Sequence, residues 1–408
     1  MQRRPIALCR KSCTVCFVVV SIILFVVTIG HSGTVRGVTE TTIKIGTICD
    51  LTGPSAGDIG LPLLDALSNY TKHINDSGGV HGRTIKLVFE DDRYSIPAAI
   101  AGFKKLFYKD NIFAFVGPGN SGGAKVLYPQ MEKLKVPNMA YAPNEFMIKP
   151  LKRYVFLPLP LYDDQLGVIY DYIINDLKPE NLNLTFVYFD TESGKDALAS
   201  TKKWAKYLNF EFNTEIVNMG SLDATSQVLS IRRKKTTHIV IHHVSAGAVA
   251  LLRDLKKFGL NIPVYGTLPT CTEDTVKMPG RGSRNYIGVH SFGSWYDDTP
   301  GSKLMRQITL KYKPGTEEPH RSKIYTGAWV VSSIIEEGLR KAGKELTVEN
   351  MVEAWESIRD MSTGELSGPV NFSPVNHKGI SYSKLYRADP ESGRLLPITE
   401  WRKPPEIK

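Results

Sequence analysis

The sequence has few cysteines, and three of the five lie within the first 16 residues. The other two, Cys49 and Cys271, are far apart and in different predicted domains, so buried free thiols are expected rather than a disulfide. No Cys/His set has the spacing of a zinc site. His242 and His243 are neighbours in a predicted strand, where successive side chains point to opposite faces. No metal site and no cofactor are therefore predicted.

Acidic residues are missing from the N-terminal end, where none precedes Glu40. The chain has a formal net charge of +10, and the four basic residues of 1–32 account for four of it, which leaves +6. The one dense basic run, residues 232–235, ends a helical pattern and is expected to be a solvated helix terminus. Since no basic stripe alternates with aromatic residues, nucleic acid is not predicted as a partner.

Long apolar runs are missing except at residues 15–29, and that run is short for a bilayer span. Basic residues up to Lys11 precede it and small residues follow it, which is the layout of a secretory signal peptide cleaved near Ser32. An uncleaved membrane anchor is the alternative, because no Ala-x-Ala site is present. In both cases the rest of the chain is predicted to be exported.

Several catalytic motifs are also missing. The sequence contains no G-x-S-x-G, no H-E-x-x-H and no P-loop. No catalytic residues are assigned, and the protein is predicted not to be an enzyme. Its 408 residues, 42% hydrophobic and 23% charged, are long and ordinary enough in composition for two globular domains.

The most informative stretch that is present runs from residue 112 to residue 125. Its apolar start, 112–116, predicts a buried parallel strand, and four glycines then allow a sharp turn. Apolar residues return at helical spacing from Ala124, with Ser121 as the predicted N-cap. Because a helix N-terminus offers unpaired N–H groups and partial positive charge, this loop is predicted to bind a small anionic ligand.

Two other interpretations of this loop stay open. Residues 117–122 fit G-x-G-x-x-G, with Glu145 near the place of the ribose-binding acid, so a dinucleotide-dependent oxidoreductase is an alternative from another functional class. Against it, the fingerprint belongs to the opening βα unit of a domain, and here two strands precede it. A tight turn that contacts no ligand is the other alternative.

Strands and helices alternate along most of the chain. Strands are predicted at 43–49, 85–89, 112–116 and 136–140, and again, after the crossing segment Leu157-Pro-Leu-Pro160, at 184–189, 211–217, 238–242 and 263–267. This alternation predicts two α/β domains with parallel sheets. Helices at 325–341 and 348–357 are expected to return to the first domain, and the tail from Val370 to the second. Domains joined by several crossings form a hinge with a ligand site between them.

The predicted boundaries follow from these crossings. They are a signal peptide at 1–32, a first lobe at 41–158 plus 297–366, a second lobe at 161–290 plus 370–408, and hinge crossings near 157–160, 291–296 and 367–372.

Six short motifs, spread over the chain, carry a family resemblance. They are Ile43-Lys-Ile-Gly, Leu51-Thr-Gly-Pro54, Ile74-Asn-Asp-Ser-Gly-Gly-Val-His-Gly-Arg83, Glu90-Asp-Asp92, Phe115-Val-Gly117 and Tyr325-Thr-Gly-Ala328. With them, nearly all of residues 41–400 resemble the branched-chain amino-acid-binding type of periplasmic solute-binding protein of ABC importers. The resemblance implies a type I periplasmic binding protein fold, in which two Rossmann-like parallel-sheet lobes are joined by a multi-strand hinge.

The resemblance also implies site residues. In that family a ligand carboxylate is held by the Gly-loop and the loop after the following strand, which here are Ser121, Gly122, Ala142 and Asn144. Ser193 and Ser245 stand where the family has two tyrosines that close over the ligand. The acid that pairs with the ligand ammonium should stand at Thr267 or Leu268, and the next acid along the chain is Glu273.

The missing acid bears on the ligand. Taking an ammonium group out of water without a counter-charge costs several kcal/mol of free energy. A plain zwitterionic amino acid held in the family's way is therefore disfavoured. The prediction is a monomeric periplasmic or membrane-anchored receptor that captures a small polar ligand, an amino acid or related carboxylate or amide, by hinge closure for ABC permease subunits. A ligand-binding sensor lobe is the second binding-class alternative, and it would favour the uncleaved anchor.

Overall fold

The structure is a computed structural model that describes residues 1–2, 35–314 and 322–407. The chain separates into Met1–Thr34 and Val35–Lys408, and the secondary structure described below belongs to the second unit. The predicted signal peptide falls, apart from its first two residues, outside the described residues. Among those described, no helix is both long and apolar enough to cross a bilayer.

The first sheet is parallel and has five strands in the order β2-β1-β3-β4-β5. They are β1 (Thr42–Cys49), β2 (Thr84–Asp91), β3 (Ala114–Val116), β4 (Asn138–Met139) and β5 (Val155–Phe156). β1 is buried along most of its length, as expected of a parallel strand covered on both faces. Because β1 and β3 are parallel neighbours, the loops that follow them lie side by side at the carboxyl edge.

The helices that follow these strands are α1 (Leu61–Asp76), α2 (Ile96–Lys104) and α3 (Ser121–Lys133). Three later helices, α9 (Pro300–Tyr312), α10 (Lys323–Ala342) and α11 (Val348–Glu356), add side chains to the same hydrophobic core. α10 packs along α1, and Trp355 of α11 lies edge-on to Phe156 of β5 with ring centroids 5.0 Å apart. The first core is therefore completed only by the C-terminal third of the chain.

The second sheet has seven strands in the order β12-β11-β10-β9-β8-β6-β7. They are β6 (Leu184–Tyr188), β7 (Phe212–Ile216), β8 (His238–His242), β9 (Val264–Gly266), β10 (Tyr286–His290), β11 (Lys384–Asp389) and β12 (Arg394–Pro397). The five strands from β7 to β10 are parallel, whereas β11 and β12 pair antiparallel at one edge. The tail thus returns to this sheet as a hairpin.

Helices cover both faces of the second sheet. They are α4 (Tyr162–Asp171), α5 (Glu192–Leu208), α6 (Thr225–Arg233), α7 (Ser245–Lys257) and the short α8 (Glu273–Lys277). Two separate clusters of buried side chains lie on the two faces. α4 and α5 approach closely because Gly167 of α4 has no side chain; a Cβ there would lie 2.3 Å from the Trp204 ring. This contact holds α4 against α5 on one face of the sheet.

The chain passes between the sheets after β5, after β10 and before β11. At the first passage Leu157 pairs with the tail, donating its N–H to the carbonyl of His377 and accepting from Gly379, both at 2.8 Å. Val370 and Phe372 lie in the first core, and Ser383 bonds Ser291 next to β11. The third passage lies between Phe372 and β11 in this structure, whereas the sequence predicts a hinge crossing near 367–372. The predicted lobe boundaries stay a prediction.

The two-lobed α/β fold is confirmed, and so are the free thiols, since Cys49 and Cys271 are both buried and unpaired. Sequence reasoning missed β5, β12 and α9. β5 and β12 are two and four residues long and too short to show a two-residue alternation, while β12 lies at an exposed edge.

Candidate functional site

The loop between β3 and α3 turns at Gly117, which has φ +99°. A Cβ at this position would lie 2.9 Å from the carbonyl oxygen of Ile48, so glycine is required. The N-cap of α3 is Asn120, whose side chain accepts the Gly123 N–H and donates to Asp92. The prediction that Ser121 is the N-cap is wrong. Both residue types cap helices, and the extended backbone of Asn120 (φ −90°, ψ 132°) decides between them.

Tyr162, the first residue of α4, joins the two predicted serines across the cleft. Its side chain is 5% exposed, and its hydroxyl lies beside the side chains of Ser193 and Ser121. Burial raises the pKa of Tyr162 to about 12, and the two serine side chains partly offset this. The phenol is therefore neutral and links a helix start on the first sheet with one on the second.

A second set of buried polar groups continues behind Ser193. Its hydroxyl lies 2.6 Å from Nε2 of His242, whose Nδ1 lies 2.8 Å from the hydroxyl of Thr267. Burial, with a smaller effect of His243, lowers the pKa of His242 to about 3, so the imidazole is neutral. His243 bonds instead to the backbone of Val217 and Val244, as expected for neighbours with diverging side chains.

The other predicted residues mostly have partners within the protein. The Leu268 N–H donates to Oε1 of Gln165 at 3.0 Å. The Asn144 amide donates to Asp196 of α5 at 3.1 Å, and Ala142 is fully buried and accepts the Asn144 N–H. A Cβ on Gly122 would lie 3.0 Å from the Ile96 side chain.

A small cavity of about 30 Å³ lies where the two sheets meet. Ser121 and Ser193 line it, together with Tyr94, Tyr162 and Phe189, whereas the other six predicted residues are not among its described lining. A volume of this size holds about two water molecules, far less than an amino acid or a dinucleotide. The structure brings Ser121 and Ser193 together, with the space between them filled by aromatic side chains.

The lobes touch each other around this cavity. Lys125 of α3 pairs with Glu192 of α5 at 2.7 Å, and the Tyr162 N–H donates to the Pro143 carbonyl at 2.8 Å. The cleft is therefore closed in this structure.

A much larger cavity of about 660 Å³ opens beside the small one, between α1 and α8. Its lining contains four acids and two lysines: Asp58, Asp65, Glu273, Asp274, Lys277 and Lys313. Lys313 forms an ion pair with Asp65. Leu61, Pro62, Leu64 and Phe89 form an apolar side, and Leu61 and Phe89 are each half exposed.

Asp58 connects this cavity with Ser245. Burial, followed by the neighbouring carboxyl of Asp274, raises the pKa of Asp58 to about 6, and a hydrogen bond with Ser245 opposes this rise. Ser245 also bonds Thr272 at 2.7 Å. Ser245 thus lies at the cavity's edge rather than in the small cavity with Ser193.

Glu273 is 3% exposed and lines the large cavity. Neither carboxylate oxygen has a well-formed hydrogen bond among the described residues, although the backbone amides of Glu273 and Lys323 lie nearby. Burial raises the pKa of Glu273, and the positive charge of Lys323 opposes the rise. The Lys323 ammonium is itself fully buried and lies over the Tyr386 ring, 3.5 Å from its centroid.

Three acids near the small cavity hold loops instead. Asp50 accepts from Gly53 and Ser55, Asp91 from Leu51 and Thr52, and Asp92 from Tyr94 and Asn120. One oxygen of each lies within 4.8 Å of the others. Backbone N–H groups and neighbouring side chains already donate hydrogen bonds to these oxygens. The three acids therefore lie close together because each of them holds a loop.

Sequence reasoning missed Tyr162, Tyr94 and His242 as residues of the site. Tyr162 follows a Pro-Leu-Pro-Leu crossing segment, so an aromatic residue opening a helix there was the available signal. Arg93 and Tyr94 both have positive φ, and this backbone conformation directs the loop after β2 towards the cleft. The sequence does not show that these two residues adopt it.

Known proteins resemble this chain in sequence profile and in fold. The profile of a family described as periplasmic binding protein matches residues 42–394. A comparison with curated protein sequences finds no significant match.

Among solved structures, a branched chain amino acid ABC transporter from Thermus thermophilus with bound valine is 23% identical, with a TM-score of 0.82 over 90% of this chain and 97% of that one. A fatty acid ABC transporter substrate-binding protein from Thermomonospora curvata is 22% identical, with a TM-score of 0.80 over 90% and 94%. A branched-chain amino acid transporter substrate binding protein from Streptococcus pneumoniae in complex with isoleucine is 18% identical, with a TM-score of 0.76 over 89% and 100%. At these identities the structures establish the fold. The chain therefore belongs to the periplasmic binding protein family and has the two-lobed fold of its branched-chain amino-acid-binding type.

Proposed function

We propose that the protein is an extracytoplasmic receptor that captures a small polar solute between its lobes and delivers it to the permease of an ABC importer. The observation that carries the proposal is the contact of Ser121 on one lobe with Ser193 on the other through Tyr162. Two α/β lobes joined by three passages can open around such a contact as a hinge, which exposes a site between them.

The proposed ligand carries a carboxylate or amide that accepts hydrogen bonds from the start of α3. Among the described residues, no acceptor is recorded for the Ser121 and Gly122 N–H groups, and the helix dipole favours negative charge at this end. The relatives named above hold valine or isoleucine or are named for fatty acids, and all of these compounds carry a carboxylate.

The closed cavity has room for about two waters, so binding requires the lobes to open and Tyr162 to move. The ligand then favours closure only through contacts that it makes with both lobes. Exchange of the Tyr162 hydroxyl for a ligand group between Ser121 and Ser193 is such a contact.

The test uses the purified chain with valine, isovalerate and isovaleramide, three compounds that share one apolar body. Native mass spectrometry first identifies any compound that co-purifies. Calorimetry should then show binding of a carboxylate or amide, weakened at least tenfold in Ser121→Ala, with a smaller radius of gyration in X-ray scattering on binding. The matched control is Ser357→Ala, at the end of α11 and away from the cleft.

Two results would count against the proposal. Scattering curves that stay unchanged with every probe and every co-purified compound would remove the receptor role. Tight valine binding that survives Glu273→Ala would contradict the expectation that a zwitterionic amino acid is disfavoured.

A further inference from the structure

Three hydrogen-bonded side chains, those of Thr267, His242 and Ser193, lead from the interior of the second lobe to the cleft. His242 ends β8 and Thr267 directly follows the neighbouring β9, so the parallel pairing of these strands places the two residues side by side. Nδ1 of His242 lies 2.8 Å from the Thr267 hydroxyl, and Nε2 lies 2.6 Å from the hydroxyl of Ser193, which lines the small cavity. The ring thus connects a hydroxyl in the core with one at the ligand site.

The imidazole of His242 is neutral, because burial lowers its pKa to about 3. A neutral imidazole carries one N–H, so one ring nitrogen donates a hydrogen bond and the other accepts one. If Nδ1 carries the proton, the ring donates to Thr267 and accepts from Ser193. If Nε2 carries it, the ring accepts from Thr267 and donates to Ser193. The tautomer of His242 therefore determines in which direction the Ser193 proton points.

Thr267 decides between these two arrangements. It is fully buried, and among the described residues its hydroxyl has no recorded acceptor other than His242. A ring that donated to Thr267 would leave the proton of this hydroxyl buried without an acceptor, which costs free energy. When Thr267 instead donates to Nδ1, its proton is bonded and Nε2–H donates to Ser193. The hydrogen-bond network thus assigns the ring proton to Nε2.

The oxygen of Ser193 then accepts from His242, and its own proton points away from the ring towards the cleft. The hydroxyl of Tyr162 lies beside it there. The Ser193 side chain opposes the rise in the pKa of Tyr162, as expected of a hydroxyl that donates to the phenol oxygen. A ligand group that replaces the Tyr162 hydroxyl meets the same serine proton.

We propose that Thr267 and His242 are positioning residues that fix Ser193 as a hydrogen-bond donor to the ligand, so that the ligand atom at Ser193 is a carboxylate or carbonyl oxygen. A ligand N–H at this place would meet an oxygen that already accepts from His242 and a proton left without an acceptor. Since Ser121 and Gly122 offer N–H groups from the first lobe, both lobes then select an acceptor. The inference rests on the proposed function and deepens it, because it names the ligand group that the second lobe recognises.

The first test reads the tautomer directly and needs no ligand. Histidine-selective ¹⁵N labelling and NMR of the full chain at pH 7.5 distinguish the two forms, because protonated and unprotonated ring nitrogens differ widely in chemical shift. Loss of the signals in His242→Gln assigns them to this residue. The expected result is an unprotonated Nδ1 and a protonated Nε2.

The second test changes the residue that holds the tautomer. Thr267→Val should shift the Nδ1 signal of His242 and weaken isovalerate binding in calorimetry at least threefold, because the ring loses the donor that fixes it. Thr267→Ser keeps the hydroxyl and should restore both. The matched control is Thr201→Val, at a buried threonine of α5 whose hydroxyl bonds Tyr170, and it should change neither readout. Circular dichroism confirms that each variant is folded.

A proton on Nδ1 of the unaltered protein overturns the inference and leaves the receptor proposal to its own test by scattering. Isovalerate binding that is equally tight in Thr267→Val, or a loss that Thr267→Ser does not restore, overturns the role of Thr267 and His242 in ligand choice. A proton on Nε2 in a chain whose scattering curve no probe changes overturns the receptor proposal instead, so the two failures are distinguishable.

Discussion

Tyr162 determines the state of the cleft at the scale of single residues. Its ring fills the space between the lobes, and its hydroxyl lies beside the side chains of both Ser121 and Ser193. Ser193 keeps His242 as a partner at 2.6 Å, so the polar groups behind it do not depend on Tyr162. The hydroxyl of Tyr162 can therefore be removed without leaving the histidine unpaired.

Tyr162→Phe should destabilise the closed protein by about 1 kcal/mol, the net value of a neutral hydrogen bond, because the ring is kept and only the hydroxyl is lost. Urea unfolding measures the change. Tyr108→Phe is the control, since Tyr108 is 66% exposed and should be unaffected. Equal stability of the two variants would mean that the Tyr162 hydroxyl makes no net contribution.

The starts of α3 and α5 place the two serines at the scale of secondary structure. Each helix follows a parallel strand and begins with a side-chain cap, Asn120 for α3 and Thr191 for α5. Asn120 has a second role, because its amide also donates to Asp92. Burial and nearby carboxylates raise the pKa of Asp92 to about 6, and the bond from Asn120 opposes the rise. One residue thus holds both the helix start and the loop after β2.

Asn120→Ala should therefore cost more than the loss of an ordinary cap. A cap alone contributes about 1 kcal/mol, and a buried acid that loses a donor adds about 1–3 kcal/mol. Thr347→Ala is the matched control, because Thr347 caps α11 through the Asn350 N–H and has no such second bond recorded among the described residues. Urea midpoints of the two variants measure the difference, and similar losses would show that the bond to Asp92 adds nothing.

The facing carboxyls of Asp58 and Asp274 make lobe closure depend on pH at the scale of the whole molecule. The pKa of Asp58 is raised to about 6 in the closed arrangement by burial and by Asp274, and opening returns it toward the ordinary value of 3.8. The other charged groups of the same cavity are Asp65, Glu273, Lys277 and Lys313. Between these two pH values the closed state binds more protons than the open state, so closure weakens as pH rises from about 4 to about 6.

The ligand-free protein should thus be more compact at pH 5 than at pH 7.5, as measured by its radius of gyration. The full shift corresponds to at most about 3 kcal/mol, and partial exposure of Asp58 reduces it. Asp58→Asn should lessen the pH dependence, while part of it remains because burial also raises the pKa of Asp196, next to Asn144 across the cleft, to about 6. Closure that tightens as pH rises would contradict the prediction.

The same three scales show how much the sequence could predict. The alternation of 43–49 and the apolar run of 238–242 were sufficient for the central strands, because long buried strands leave a periodic signal. The choice of Asn120 over Ser121 depends on one backbone conformation. The burial of Glu273 could not be predicted, because the residues around it, such as Lys323, are distant in sequence and are brought there by the return of the chain.

The return of the C-terminal helices to the first lobe affects the order in which the two lobes can fold during synthesis. The first hydrophobic core unites Ile43 near the start of the described chain with Trp355 and Ile358 close to its end. During synthesis, which proceeds from the N-terminus, the first sheet is translated early, but its core needs residues that follow five of the seven strands of the second sheet. Nascent chains released before residue 358 should therefore expose apolar surface and need a chaperone, even though they contain all five strands of the first sheet and the five parallel strands of the second.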